Sequence, residues 1–173
     1  MEQGLVQVYT GDGKGKTTAA IGLGIRAVGK GFKVFMVQFL KGRHYGEVET
    51  IKRLGDDFTL VQSGLDSFVK KGEPTAEDLR LAHEGLELAR KAIMSGEYDI
   101  VILDEVNVAV ELGVLTVDEV LPLVEGKPST VELVLTGRYA PEEFCGKADL
   151  ITEMKSVRHC YDKGVGMREG IEF

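Results

Sequence analysis

Apolar positions along the chain come in short unbroken runs separated by longer amphipathic stretches. The runs Leu5–Tyr9, Lys33–Phe39, Phe58–Gln62, Asp99–Leu103, Thr130–Leu135 and Asp149–Glu153 read as strands. Most are short, β-branched apolar runs without strict alternation, as expected of strands covered on both faces. Helical patterns fill the intervals. One runs from Lys16 to Lys30 and stops before Gly31; a shorter one, Glu47–Leu54, ends at Gly55. The stretch Thr75–Met94 follows Pro74, with Thr75 as cap and Glu77 and Asp78 in the first turn, where the helix dipole favours acids. Its Leu79, Ala82, Leu86 and Ala89 fall near helical spacing and are predicted to face a sheet. A fourth helix, Thr116–Val124, opens on Thr116 with Glu119 three residues on, a capping-box arrangement. Such alternation predicts right-handed crossovers, hence an α/β fold with a mainly parallel sheet and helices on both faces. Loops Lys41–Gly46 and Ser63–Pro74 are longer than connection needs and follow strands, where sheets of this kind bind ligands. With 173 residues and no repeat or linker, one domain over residues 1–173 is expected.

The densest chemistry lies between the first strand and the first helix. There the chain reads Thr10-Gly11-Asp12-Gly13-Lys14-Gly15-Lys16-Thr17-Thr18. A strand, a glycine-rich loop and a helix start in this order form a phosphate-binding P-loop. Its glycines let backbone N–H groups turn towards phosphate oxygens, and the helix N-terminus adds positive charge. Lys16 supplies a full cation, and the Thr17 hydroxyl is placed to ligate a magnesium ion bridging phosphates. The implied architecture is P-loop NTPase-like (RecA-like), a three-layer sandwich. Thr10 stands where the usual spacing has an opening glycine, and Lys14 adds a second lysine inside the loop. Lys14 is either a solvated charge or a further phosphate ligand.

Ile100–Leu103 leads into Asp104 and Glu105. In P-loop folds this strand is expected beside the first, so that a terminal carboxylate meets the magnesium directly or through water. The same acids are also placed to cap a following helix. Asn107 lies just beyond. Arg138 follows the strand ending at Leu135, again at a carboxyl end, where a guanidinium reaches phosphate or a partner carboxylate. Arg26 reads either as a surface charge or as a phosphate ligand for a neighbouring subunit. His44, His83 and His159 are scattered without metal-ligand spacing, and Cys145 and Cys160 read as reduced structural thiols. No nucleophile and base stand together, so positioning and electrostatics are expected to carry the chemistry, with the hard step left to a bound cofactor.

Composition narrows the class. Hydrophobic residues make up 43% and charged residues 28%, an ordinary globular balance, and the net charge of −7 argues against a nucleic-acid surface. The apolar stretch around residues 100–115 is interrupted by Asp104, Glu105 and Glu111, so no membrane span is predicted. The first residues lack a signal-peptide layout, and a cytoplasmic location is expected.

The loop Thr10–Ala20 resembles the P-loop of the ATP:cob(I)alamin adenosyltransferases of the cobalamin-salvage type, which lack the opening glycine and carry the extra lysine. Further similarity runs through Val34–Gly42, Leu103–Asn107, Leu135–Arg138, Ala148–Met154, Val157–His159, Asp162–Val165 and Gly170–Phe173. The resemblance implies transfer of the 5′-deoxyadenosyl group from ATP to the cobalt of a reduced corrinoid, releasing triphosphate. Cobalt is then the nucleophile at C5′, and ATP lies reversed in the loop. It implies phosphate contacts from Gly11 to Thr18, a metal held by Thr17 and Glu105, with Asp104 as a further candidate, and a phosphate contact from Arg26. Asn107 and Arg138 are candidates for the same nucleotide site. The implied cofactors are ATP, Mg²⁺ (or Mn²⁺ in its place) and the corrinoid. The implied partners are an electron-donating reductase, such as a flavoprotein, and a second copy of the chain.

Two departures stand out. Some members place a phenylalanine and a tryptophan over the corrinoid; here the stretch Ser63–Val69 holds Phe68 alone, and the chain has no tryptophan. Many also have an N-terminal extension over the site, whereas the first strand here begins near Leu5. The competing readings are a P-loop ATPase or nucleotide-dependent switch, disfavoured by the acidic charge and missing glycine, and a small-molecule kinase, which lacks a visible acceptor base.

Overall fold

The computed structural model describes residues 1–172; Phe173, the last residue of the closing similarity, lies outside them. Six strands form one parallel sheet: β1 (Val6–Thr10), β2 (Val34–Phe39), β3 (Phe58–Ser63), β4 (Ile100–Asp104), β5 (Glu132–Thr136) and β6 (Leu150–Glu153). Their order across the sheet is β3-β2-β4-β5-β1-β6. All six predicted strands are present, with ends shifted by a residue or so. β4 is not beside β1 as expected, because β5 is inserted between them and pairs with both. The side chains bridge that gap, as described below.

The helices are α1 (Lys16–Val28), α2 (Gly46–Lys52), α3 (Ala76–Ser95), α4 (Val106–Glu111), α5 (Val117–Gly126) and α6 (Glu142–Cys145). Two apolar layers flank the sheet. On one side Ala20 and Ala27 of α1 and Ile51 of α2 pack with Val34, Met36, Phe58, Ile102 and Val134. On the other, Ala82, Leu86 and Ala89 of α3, Val106 of α4 and Val120 of α5 pack with Val37, Phe39, Val101, Leu103 and Leu135. This is the predicted three-layer sandwich. Ala82, Leu86 and Ala89 are buried as their spacing implied, whereas Leu79 is only half-buried and Asp78 is buried in its place.

Asp78 is inward because it completes a cap. Its N–H donates to Thr75 Oγ1 at 3.2 Å, and its carboxylate accepts from the Thr75 N–H at 2.9 Å. At α5 the predicted pairing is also seen, with Glu119 accepting from the N–H and hydroxyl of Thr116. α4 and α6 escape the sequence reading because each is under two turns and carries too few residues to show a period. β6 departs from the expectation of strands covered on both faces. It is an edge strand, exposed at every position. No helix among the described residues is long and apolar enough to cross a membrane.

Candidate functional site

The loops at the carboxyl ends of β1, β2, β3, β4 and β5, together with residues of the closing segment between His159 and Glu172, surround a cleft of about 780 Å³, within the roughly 300–1,000 Å³ range of small-molecule sites. One wall is the phosphate loop from Gly13 to Thr18; the other carries Lys41, Tyr45, Glu47 and Phe68, with Glu105 and Arg138 between. The loop's backbone is shaped by glycine. Gly11 (φ 92°) and Gly15 (φ 123°) lie in the left-handed region, which glycine alone adopts without strain. A Cβ on Gly13 would stand 2.8 Å from the carbonyl of Met154. The Gly13 N–H itself donates to that carbonyl at 2.6 Å, so the segment after β6 braces the loop.

Lys16 is buried, and its ammonium donates to the carbonyls of Gly11 and Gly13 at 2.7 and 2.8 Å. Burial lowers its pKa, an effect opposed chiefly by the charge of Glu105. Thr17 Oγ1 donates to Asp104 Oδ1 at 2.8 Å. That bond joins the end of β4 to the start of α1 across the inserted β5. β5 contributes as well, since Thr136 Oγ1 donates to the same carboxylate oxygen at 2.7 Å.

Asp104 is a fully buried hub. Its other oxygen accepts from Gln38 Nε2 at 3.2 Å and from Lys41 Nζ at 2.8 Å. Lys41 lies 5.3 Å from the centre of the Tyr45 ring, within cation–π range. Burial opposes the Lys41 charge, but Asp104 outweighs it and holds the ammonium above its ordinary pKa. Glu105 is different. It occupies the capping position of α4 without making a side-chain capping bond, so the capping role foreseen for these acids is not filled by its carboxylate. Its carboxylate faces the cleft with no side-chain hydrogen bond among the described residues, and burial, then the charge of Asp104, raises its pKa.

The structure brings Lys14, Lys16, Thr17, Thr18, Gly13, Gly15, Glu105 and Arg138 to the cleft wall. Gly11, Asp12, Asp104 and Asn107 lie behind or beside it. Asn107 is buried; its Nδ2 donates to the Gly137 carbonyl at 3.1 Å, while its Oδ1 has no partner among the described residues. Lys14 is neither free nor bare. Its ammonium donates to Glu172 Oε1 at 2.8 Å and to the Ile171 carbonyl at 3.1 Å. Arg26 sits exposed in the last turn of α1, about 15 Å along the helix from Lys16, and is not part of this wall.

Sequence reasoning gave no role to Lys41, Tyr45, Gln38 or Thr136. The signal for Lys41 was positional: it follows its strand as Glu105 and Arg138 follow theirs. Among the described residues, the non-glycine residues with positive φ are Leu40 (59°), Glu105 (61°) and Tyr139 (59°). Each sits at or next to one of those three charged residues, at the carboxyl end of the sheet. Backbone strain of this sort persists where the surroundings enforce it and concentrates at functional sites.

Residues 2–173 match the family described as ATP:corrinoid adenosyltransferase BtuR/CobO/CobP. The chain belongs to that family. A corrinoid adenosyltransferase of a Sinorhizobium species is 35% identical to it over 99% of this chain and 81% of its own length. The Escherichia coli K12 corrinoid adenosyltransferase is 34% identical, over 99% of this chain and 87% of its own. An uncharacterized protein of Nostoc is 39% identical over 90% of this chain, which spans only 45% of that protein's length. The family's ATP fits the cleft in its chemistry: a glycine loop, a helix start and four cationic side chains (Lys14, Lys16, Lys41 and Arg138) at one opening.

Proposed function

We propose that this protein transfers the 5′-deoxyadenosyl group of ATP to the cobalt of a reduced corrinoid and releases triphosphate. The observation that carries this reading is the layout of the cleft. Phosphate-binding groups line one wall, an exposed Phe68 stands at the other, and the side chains between them are charged rather than nucleophilic. With cobalt as nucleophile, the protein's tasks are to orient C5′ and to neutralise the departing polyphosphate.

Lys16 and the N–H groups at the start of α1 bind the polyphosphate. A divalent ion, Mg²⁺ or Mn²⁺, suits the remaining oxygens. No cluster of three His, Cys, Asp or Glu among the described residues encloses a metal alone. Thr17 and Glu105 offer ligands on one side, leaving the rest to phosphate and water, which is how Mg²⁺ is ordinarily held. Asp104 accepts four hydrogen bonds and is better suited to orient Thr17 than to bind metal directly. When bound, such an ion would supply positive charge to the polyphosphate. Phe68 is the apolar surface offered to a corrin ring. An electron-donating reductase, such as a flavoprotein, would supply the reduced cobalt. A second copy of the chain gives exposed Arg26 a role as a phosphate ligand across a dimer, a proposal supported by its distance from its own cleft.

The test is incubation with ATP, Mg²⁺ and chemically reduced cobalamin, following the visible spectrum and the phosphate products together. Adenosylcobalamin and triphosphate are expected in equal amounts. ADP and phosphate without a corrinoid change would instead make the protein an ATPase.

A further inference from the structure

Along the carboxyl edge of the sheet, the strand order places four features in a row. The phosphate loop follows β1, Glu105 follows β4, Lys41 follows β2 and the Phe68 loop follows β3. Three inter-strand steps separate β1 from β2, about 14 Å at ~4.8 Å each. Lys41 does not extend outward across this span. Its side chain turns back over β4 to meet Asp104 Oδ2 at 2.8 Å, and is only 14% exposed. The backbone is built for that direction. Leu40 takes the left-handed conformation and donates its N–H to the Ser63 carbonyl at 3.1 Å. Gly64 lies so close that a Cβ there would stand 2.5 Å from the Lys41 nitrogen. Gly42 presses equally on Gly64 and Leu65, tying the Lys41 loop to the one that carries Phe68.

We propose that Lys41 is the cation that stabilises the leaving α-phosphate of ATP during adenosyl transfer, prepositioned by Asp104 and the Tyr45 ring and reaching in from the side that carries Phe68. The inference rests on the adenosyl-transfer reading of the cleft. In that reaction the cobalt(I) electron pair forms the Co–C bond as the C5′–O bond breaks. The bonding pair leaves on an α-phosphate oxygen of triphosphate, and cobalt is formally oxidised by two electrons to cobalt(III). Negative charge therefore grows at the end of the polyphosphate nearest the corrinoid. Lys16 bonds to its own loop after β1, four strand steps from β3, whereas Lys41 comes from the loop packed against the one that carries Phe68 and brings its ammonium over β4 to Asp104. Asp104 takes one of three ammonium donors, leaving the others for phosphate. A cation already fixed in place stabilises developing charge without reorganisation.

The experiment is single-turnover transfer from ATP to prereduced cobalamin by the wild type and Lys41→Met, with ATP affinity measured separately by calorimetry. The same rates are taken with ATP bearing sulfur at a non-bridging α-phosphate oxygen. Lys41→Met is expected to slow transfer about 100-fold, to change ATP affinity less than threefold, and to lose the wild-type discrimination between oxygen and sulfur. Lys41→Arg, which keeps the charge, is expected to recover part of the rate. Should Lys41→Met not fold because the buried Asp104 loses its ion-pair partner, Asp104→Asn with Lys41→Met is compared with Asp104→Asn alone, and the same loss of discrimination is expected. An unchanged rate, or rate and affinity falling together with the sulfur effect intact, would overturn the role of Lys41 alone. Failure of the wild type to form any Co–C bond would overturn the transfer reading beneath it.

Discussion

The two ends of the sheet treat charge in opposite ways. At the amino end, carboxylates are matched to donors of the chain itself. Asp149 accepts the Val6 N–H at 2.8 Å, Glu132 accepts the Leu5 N–H at 2.7 Å and the Gln7 amide, and Asp99 pairs with the Met1 ammonium at 2.9 Å. Lys127 donates to the Gly4 carbonyl at 2.8 Å. These bonds strap the first residues across β4, β5 and β6. At the carboxyl end, cations converge on one cleft, Glu105 has no side-chain hydrogen bond among the described residues, and the backbone is forced into positive φ beside the charged groups. One end satisfies its polar groups for stability. The other leaves capacity for a ligand, and part of its stability is forgone.

Substitutions at the two ends should therefore separate. The largest effect is expected at Asp104, where the two requirements meet. Asp104→Ala leaves Lys41 without its buried partner and should destabilise the fold by roughly 3–5 kcal/mol, while abolishing transfer; urea denaturation and the transfer assay measure the two losses. Lys16→Ala should lower transfer by about 10²–10³-fold through lost charge stabilisation, with a melting temperature close to wild type, because Lys16 bonds only to carbonyls of its own loop. Retained ATP-dependent turnover would show that the polyphosphate does not bind at this loop. At the amino end, Glu132→Ala should cost about 1–3 kcal/mol by orphaning the Leu5 N–H, with transfer per folded molecule unchanged. A fall in specific activity would show that the ends are coupled.

The smallest effect is expected away from both ends, where His83 Nε2 meets Glu119 Oε1 at 2.8 Å between α3 and α5. The bond to Glu119 raises the His83 pKa above its ordinary 6.5. The folded state therefore binds the proton more tightly. The contribution is complete below 6.5 and is lost as pH rises through the higher folded value. Because the pair is about half-exposed, solvent screening keeps the effect small. Thermal melts should show a slight decline over that window, absent in His83→Gln.

The sequence revealed the elements better than their arrangement. Buried parallel strands leave unbroken apolar runs, so β1 to β5 were legible. The insertion of β5 between β1 and β4 was not, because pairing is decided by tertiary packing that local runs do not record. β6 misled for a related reason: Leu150 and Ile151 read as buried, yet the strand pairs on one side only. In the site, the glycine loop, Lys16, Thr17 and Glu105 were visible because their spacing is local. Lys41 carried no such mark. Its meaning comes from Asp104, 63 residues away, and from the two glycine contacts that turn its loop inward. Lys14 shows the limit from the other side, since its contacts with Ile171 and Glu172 join opposite ends of the chain.

The most direct measurement is a crystal structure of the protein soaked with ATP and Mg²⁺. Polyphosphate is expected between residues 13–18 and Lys41, with metal at Thr17 and Glu105 and C5′ open towards Phe68. Polyphosphate bound elsewhere, or C5′ enclosed on the side away from Phe68, would contradict that arrangement.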